Sequence, residues 1–336
     1  MKMTLQDLAS QFKNPFLREA LGKSALHVLF FDHNLAATML LNFLAQLHLK
    51  MAGYPIGGLQ QVVDAIEQRY RDLGGEIHFR SRVAKILVED RRAVGVRLED
   101  GTEHRADVVI SAADGRTTIF DMLEGKYVND KIRGYCDNPV LFPPLCFISL
   151  GVGRVFEKSP SSIGGTVFLF DEPVTIAGKG WDRLAVHIYD FDPTVAPEGK
   201  TLLRLWLPTD FDYWKNLREQ DRDRYKAEKK RVADQVIARL DRRYSGLAHQ
   251  VEMVDVATPA TFERYTGNWR GSYMGWLFTP EMMMTQMDKT LPELDIFYMI
   301  GQWVLASSLP FAATSGRHVT QIICHRDDRP FVTTVP

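Results

Sequence analysis

Phe297-Tyr298-Met299-Ile300, then Gly301-Gln302-Trp303-Val304-Leu305-Ala306-Ser307-Ser308-Leu309, then Pro310 and a run from 311 to about 325, is the stretch whose reading decides the fold. The four apolar residues at its start predict a short buried strand. Pro310 suits the first turn of a helix, so a helix is expected over 311–325. The loop between them delivers the chain to a helix N-terminus, where unpaired N–H groups and the positive end of the dipole gather. Such an end suits an anion or an electron-rich ring edge. Gly301 allows close approach of backbone, and Gly316 allows the helix to pack closely on a neighbour. On spacing alone the same pattern also fits an ordinary α/β crossover.

Outward from this stretch the chain alternates in character. Residues 4–50 read as helical: Leu5, Leu8, Phe12, Phe16 and Leu17 recur at helical spacing, and a helix is expected over 35–49 with Asn34 as its cap. Tyr54-Pro55-Ile56-Gly57-Gly58 is a turn. Leu59, Val62, Val63, Ile66, Tyr70 and Leu73 then form the apolar stripe of a helix that Gly74 and Gly75 end. From Ile77 and Phe79 the period becomes two. A β-meander is expected over 82–89, 93–99 and 102–111, turned at Asp90-Arg91-Arg92 and at Asp100-Gly101. Strands are expected at 145–152, 166–170, 184–190, 202–207 and 251–257, forming an antiparallel sheet with one covered face. A long helix over 219–244 interrupts them, and its sign-alternating run from Asp221 to Lys226 reads as a solvated face.

Composition narrows the classes of function. The 336 residues carry 41 basic and 42 acidic side chains, a net charge of −1, which argues against a general nucleic-acid binder. The length suggests roughly two domains. Cys136, Cys146 and Cys324 are too few and too scattered for a disulfide framework or a zinc site, and read as thiols of a reducing cytoplasm. The start, with Gln6, Asp7 and Lys13, has no signal-peptide pattern. The most apolar stretch, Ala25 to Leu49, is broken by Asp32, His33, Asn34, Asn42 and His48, so no bilayer-spanning run is expected. Peripheral contact with lipid stays open.

Several of these pieces fall in a familiar order. They are Tyr54-Pro55-Ile56-Gly57-Gly58; Arg82-Val83-Ala84-Lys85-Ile86; Val94-Gly95-Val96-Arg97-Leu98-Glu99-Asp100-Gly101; and Ala106-Asp107-Val108-Val109-Ile110-Ser111-Ala112-Ala113-Asp114. Ala257-Thr258-Pro259 with Phe262-Glu263-Arg264-Tyr265-Thr266, and Gly301-Gln302-Trp303 with Leu309-Pro310 and Ser315-Gly316-Arg317, complete the set. Together, over about 50–325, the chain resembles the phytoene desaturase, carotenoid isomerase and retinol saturase group of FAD-dependent oxidoreductases. The resemblance implies an α/β fold. It consists of an incomplete, discontinuous FAD/NAD(P)-binding Rossmann-like domain and an α+β substrate domain with an antiparallel sheet. Residues 53–120 and 286–336 would belong to the FAD domain, and 1–52 and 121–285 to the substrate domain.

Carried over by position, the resemblance places Val83 at the adenine end of FAD, and Ala112 and Ala113 at the border of the dinucleotide. Gly301 and Gln302 would approach the ribityl and pyrophosphate region. Leu309, Pro310 and Ala313 would lie under the flavin ring, with the helix N-terminus near its pyrimidine edge, where reduced flavin carries negative charge. Plain sheet packing is the other reading of Val83, Ala112 and Ala113. The implied chemistry is hydride transfer between FAD and a long apolar polyene or related lipid, and no catalytic acid or base is assigned.

The departures from the family pattern carry expectations of their own. The family begins with a Gly-rich phosphate loop in a βαβ unit, followed by an acidic residue for the ribose. Here the Gly-x-Gly at the end of an expected strand, Gly151-Val152-Gly153, lacks the third glycine and runs into Lys158-Ser159-Pro160-Ser161-Ser162. It is a minor candidate for that loop. The chain is therefore expected to begin inside the family's fold and to hold FAD weakly or not at all by itself. Three cases stand open: a truncated chain, half of a split enzyme completed by an N-terminal FAD-binding chain, or a remnant that binds an apolar ligand. In Leu305-Ala306-Ser307-Ser308, bulkier residues replace the family's Pro- and Gly-rich turn.

Other candidates have plainer readings beside them. Nine histidines form no metal-binding pair, and no Gly-x-Ser-x-Gly elbow is present. Ser315 reads as packed rather than nucleophilic. Met282, Met283, Met284 and Met287 fill a core or line a lipid pocket. Trp269, Tyr273, Trp276 and Phe278 pack a core or wall a substrate tunnel. Asp32 and His33 are a helix-boundary cap or an acid/base pair.

Overall fold

The computed structural model describes residues 3–24, 33–51, 53–156, 165–282, 287–305 and 307–333. The chain divides into two compact units. One is Met1–Ile77 with Pro143–Phe262, and the other is His78–Phe142 with Glu263–Pro336.

The first unit opens with short helices. In α1 (Leu5–Ser10) the Thr4 hydroxyl accepts the Asp7 N–H at 3.1 Å and the Asp7 carboxylate accepts the Thr4 N–H at 2.9 Å, a capping box. Asn14 caps α2 (Pro15–Glu19). Helix α3 (Ala37–His48) starts two residues later than expected, with Ala36 and not Asn34 at its N-cap and no side chain bonded there. The expected run of helix over 4–50 is thus broken, because Asn14-Pro15 restarts the chain. Helix α4 (Gly58–Asp72) follows the Tyr-Pro-Ile-Gly-Gly turn and ends at Gly74 (φ +85°), as expected. The turn is held by the buried Asp192, whose carboxylate accepts the Gly57 N–H at 2.9 Å.

The body of this unit is one antiparallel sheet of β5 (Leu145–Val152), β6 (Thr166–Ile176), β7 (Lys179–Ile188), β8 (Thr201–Pro208) and β9 (Val251–Ala257), in the order β6-β7-β8-β5-β9. All five expected strands are present, with β6 and β7 extended into a longer hairpin turned at Ala177 and Gly178, both left-handed. The helix expected over 219–244 is α7 (Arg222–Arg243), and a helix that was not expected, α6 (Phe211–Gln220), precedes it. Asp221 is extended (φ −150°, ψ 95°) and its side chain accepts the Asp223 and Arg224 N–H groups, so the acidic residue that reads as part of a charged face is a cap. The charged residues after it are solvated, as expected, with the Lys226–Asp223 pair on the surface, whereas Tyr225 within the run is buried in the core. Leu150, Leu184, Leu203 and Leu205 of the sheet are fully buried, in one core with Val232, Val236 and Leu240 of α7.

Gly151 and Gly153 are not a phosphate loop. Gly151 lies in β5, where a Cβ would stand 3.2 Å from that of Met253 on β9, and the Gly153 N–H bonds the Gln250 carbonyl at 2.8 Å. Close strand packing accounts for Gly151, and strand-end pairing holds Gly153. Lys158 to Ser162 lie outside the described residues.

The three cysteines are unbridged. Complete burial pushes the Cys146 thiol up to about 12, and burial also raises that of Cys136. In the native protein at pH 8, Cys146 should therefore alkylate about a thousandfold more slowly than in denaturant, since the thiolate is the nucleophile. Mass mapping of carbamidomethylated peptides before and after unfolding checks this; equal labelling of Cys146 in both states would contradict the burial.

The second unit holds the meander β1 (Val83–Glu89), β2 (Arg92–Leu98) and β3 (Glu103–Arg105). Asp90 and Arg91 both take positive φ (46° and 61°), as a two-residue hairpin turn demands. Gly95 is required, because a Cβ there would meet the His104 carbonyl oxygen of β3 at 2.1 Å. The expected third strand is two elements. β3 ends at Arg105, and β4 (Val109–Ser111) leaves the meander to pair, in parallel, with β10 (Phe297–Met299). A parallel partner is non-local, so local alternation could not show it. Residues 76–80 form no strand, and Phe79 is exposed. α5 (Asp130–Asp137) also lies in this unit, and α8 (Pro259–Thr266) has residues on both sides of the division at Phe262 and Glu263.

The last helix, α9 (Leu309–Arg326), starts two residues before the expected 311, with Pro310 in its first turn and Ser308 as N-cap. The core of this unit gathers Ile86, Ile119, Ile132, Trp276, Phe297 and Trp303. Among the described residues no helix is long and apolar enough to cross a membrane.

Candidate functional site

The site of interest lies in the second unit, at the carboxyl ends of β4 and β10. Because the two strands run in parallel, with Phe297 opposite Val109 and Met299 opposite Ser111, both chains leave the sheet at the same end. One continues into Ala112 and Ala113, the other into Gly301. The Ile300 N–H still bonds the Ser111 carbonyl at 2.9 Å. Gly301 then turns with φ +93°, a left-handed conformation, and the nearest atom to a Cβ built on it is the Ala112 carbonyl oxygen, at 3.9 Å. The Gly301 N–H donates to Ser315 Oγ of α9 at 2.7 Å, and that hydroxyl donates to the Ala312 carbonyl at 2.6 Å. Ser315 is fully buried with its hydroxyl in use, so it is packed and not a nucleophile.

Strand end, glycine turn and helix are therefore tied together. Ala112 and Ala113 are exposed, Leu309 is half-buried, and Pro310 and Ala313 are exposed on the first turns of α9. The stem of Gln302 lies 3.5 Å from the position of a Cβ on Gly275, so its side chain faces the 271–275 turn. Val83 stands in the other sheet, opposite Leu98 at the start of β1. The structure thus joins Ala112, Gly301 and α9, and places Val83 and the Gln302 side chain elsewhere in the unit.

Asp114 is the residue that sequence reasoning left without a role. It is 3% exposed. One carboxylate oxygen accepts the Thr117 N–H and the other accepts the Trp269 N–H, both at 2.8 Å. Burial pushes its carboxyl above the ordinary carboxylate range, against the pull of these N–H bonds. It fixes the turn after Ala113 to the 268–276 segment. The guanidinium of Arg116 sits 5.7 Å over the Trp269 ring in the same corner. An aspartate three residues before Thr117 is a readable cap signal; its second bond, 155 residues away, is not.

Of the aromatic and methionine clusters, Trp269, Trp276, Met282 and Met287 pack in the core of this unit. Trp276 and Phe278 are 5% and 7% exposed, and the Trp276 indole N–H bonds the Trp303 carbonyl at 3.1 Å. Met287 is buried and Met282 packs against the same core, while Met283 and Met284 lie outside the described residues. Asp32 lies outside them too, and His33 is exposed. The Ser307 hydroxyl donates to the Met274 carbonyl. No group of three or more metal-ligating side chains exists among the described residues.

The donor set suits a flat, electron-rich ligand. Small residues border it (Ala112, Ala113, Gly301, Ala313) at the carboxyl end of a parallel pair, and a helix N-terminus adds its positive end. These features fit the ring and ribityl portion of a flavin. The 336 residues contain no Gly-x-Gly-x-x-Gly sequence to grip its diphosphate.

The model of the flavin containing amine oxidoreductase family matches residues 4–236. Prolycopene isomerase of Arabidopsis thaliana, a chloroplastic protein, is 26% identical over 228 residues, 67% of this chain and 38% of that protein. The neurosporene-forming phytoene desaturase of Rhodobacter capsulatus is 27% identical over 291 residues, 80% of this chain and 53% of that protein. The chain therefore spans about half or less of these relatives. Among solved structures, a redesigned putrescine oxidase superposes with a TM-score of 0.60 at 13% identity, over 97% of this chain and 68% of that one. An oxidoreductase from Methanosarcina mazei superposes with 0.51 at 19% identity, over 80% and 55%. At such identities the likeness shows the fold alone.

Proposed function

This chain belongs to the family of flavin-containing amine oxidoreductases, and from that premise we propose that it serves an FAD-dependent oxidoreductase of the desaturase, isomerase or saturase type. Its substrate is a long apolar polyene or related lipid. The observation that carries the reading is the parallel β4–β10 pair, which brings Ala112 and Gly301 to one end and bonds the second to α9 through Ser315. The substrate class rests on the names of the curated relatives, a prolycopene isomerase and a phytoene desaturase.

Bound FAD would supply hydride acceptance and donation, chemistry that protein side chains lack. The residues of this chain bind and orient it. Ala112, Ala113 and Gly301 leave room for close backbone approach, while Leu309, Pro310 and Ala313 offer an apolar floor. The N-terminal N–H groups of α9 favour negative charge on whatever lies before them. Gln302 and Val83 are assigned to the ribityl–pyrophosphate and adenine regions on the resemblance alone.

A second reading, one subunit of a split flavoenzyme, is favoured by helix α4. Leu59, Val63, Ile66, Tyr70 and Leu73 recur at four- and three-residue steps, and all five are exposed. Such a seam marks a contact face. Its partner would be a chain carrying the Gly-rich phosphate loop.

The test is flavin content. The purified chain is examined for visible flavin absorbance and then titrated with FAD, following quenching of flavin fluorescence. Weak but titratable binding of FAD is the expected result. A chain folded by circular dichroism that neither retains nor binds FAD would overturn the flavoprotein reading of this chain by itself.

A further inference from the structure

A groove in the first unit, between edge strand β6 and the last turns of α7, carries chemistry that the flavin reading does not use. Its volume is about 430 Å³, within the range of small-molecule sites. One wall is Phe168, Leu169 and Phe170; the other is Arg239, Arg242 and Arg243.

The three guanidiniums are not equivalent. Arg239 is built in: its side chain bonds the carbonyls of Glu172 at 3.3 Å, Pro173 at 3.2 Å and Gln235 at 3.4 Å. Arg242 shares the Glu172 carboxylate with it, at 3.0 Å. Arg243 is exposed and has no carboxylate partner among the described residues; it lies 5.7 Å over the Phe168 ring. Three cations thus face Glu172 and Asp171, leaving a positive excess at Arg243.

Cations in the last turn of a helix are ordinary. A strand edge that sets an apolar surface before them is not. Phe168 and Phe170 are half-buried against the core, and Leu169 stands 70% exposed. The pairing of β6 with β7 is also irregular between Leu169 and Val174, so the strand bends at the groove. An apolar floor beside an unpaired guanidinium is complementary to a ligand with an acidic head and an apolar tail. Of the apolar side chains lining the groove only Leu169 is exposed, which suits a single chain lying there better than insertion into a bilayer.

We infer that this groove binds a single-chain anionic amphiphile of the long-chain carboxylate type. Its head pairs with Arg243 and Arg242, and its chain runs along Phe168, Leu169 and Phe170. The inference is independent of whether FAD is bound.

The probe is cis-parinaric acid, titrated into the full chain and followed by its fluorescence. Saturable binding is expected, with a Kd of about 1–10 μM. Arg243→Ala should weaken it about tenfold, as should Leu169→Glu. Both positions are exposed, and circular dichroism verifies that the variants fold. The methyl ester of the same acid should bind the unaltered chain about tenfold more weakly than the acid, and should not respond to Arg243→Ala. Affinity unchanged in both variants, or an ester as tight as the acid, would overturn the proposal. So would flotation with phosphatidylcholine–phosphatidylglycerol vesicles in the absence of saturable binding of the monomeric acid, which would point to a membrane surface instead.

Discussion

Asp114→Ala is expected to destabilise the second unit by about 3 kcal/mol, read as a lower urea midpoint. The carboxylate is buried and accepts two N–H groups, from Thr117 and from Trp269. Alanine offers neither acceptor, and each stranded buried donor costs about 1–3 kcal/mol. Asp114→Asn keeps one acceptor oxygen and should cost roughly half as much. The pair of variants also reads out a charge effect. Burial holds the carboxyl above its ordinary value of 3.8, so the native state retains a proton that the unfolded chain has lost. The stability this contributes is present below 3.8 and lost as pH rises through the folded-state value. The unaltered chain should accordingly lose stability relative to Asp114→Asn as pH is raised from about 4 towards 7. A difference that moves the other way would mean that the N–H bonds outweigh burial.

Gly301→Val is expected to cost about 2–3 kcal/mol and to lower flavin retained per chain at least about tenfold. A φ of +93° is strained for any side chain and most for a β-branched one. Relief of that strain must pull the Gly301 N–H from Ser315 or the turn from Ala112, and either change moves strand end and helix apart. Gly301→Asn, which tolerates left-handed backbone better, should fall between the two. Urea unfolding gives the first quantity, and absorbance of the gel-filtered protein after loading with FAD gives the second. A valine variant that keeps both stability and flavin would remove this turn from the cradle.

What the sequence makes legible follows the range of the forces involved. β5 and β9 match their expected bounds because alternation and flanking turns are local signals, and Gly74 and the Asp90-Arg91 turn likewise declare themselves. Asp221 hides its capping role inside a sign-alternating run, so the start of α7 reads three residues early. β4 reads as the end of a meander because its partner, β10, lies far along the chain. The same limit applies at the site. Gly301 is legible as a glycine after a strand, and Pro310 as a helix start. The bond from Gly301 to Ser315 and the strap from Asp114 to Trp269 exist only once distant segments meet.

The β4–β10 pair also has a kinetic consequence. Its two strands are separated by about 190 residues, and closing so long a loop is entropically slow. During synthesis β4 emerges long before β10 exists, and the corner that ends in Ala112 waits, half-built, until Phe297–Met299 is made. The corner proposed to hold the cofactor is thus completed only after β10 has been made. Premature termination anywhere before Phe297 forfeits it, even where the rest of the molecule has already folded.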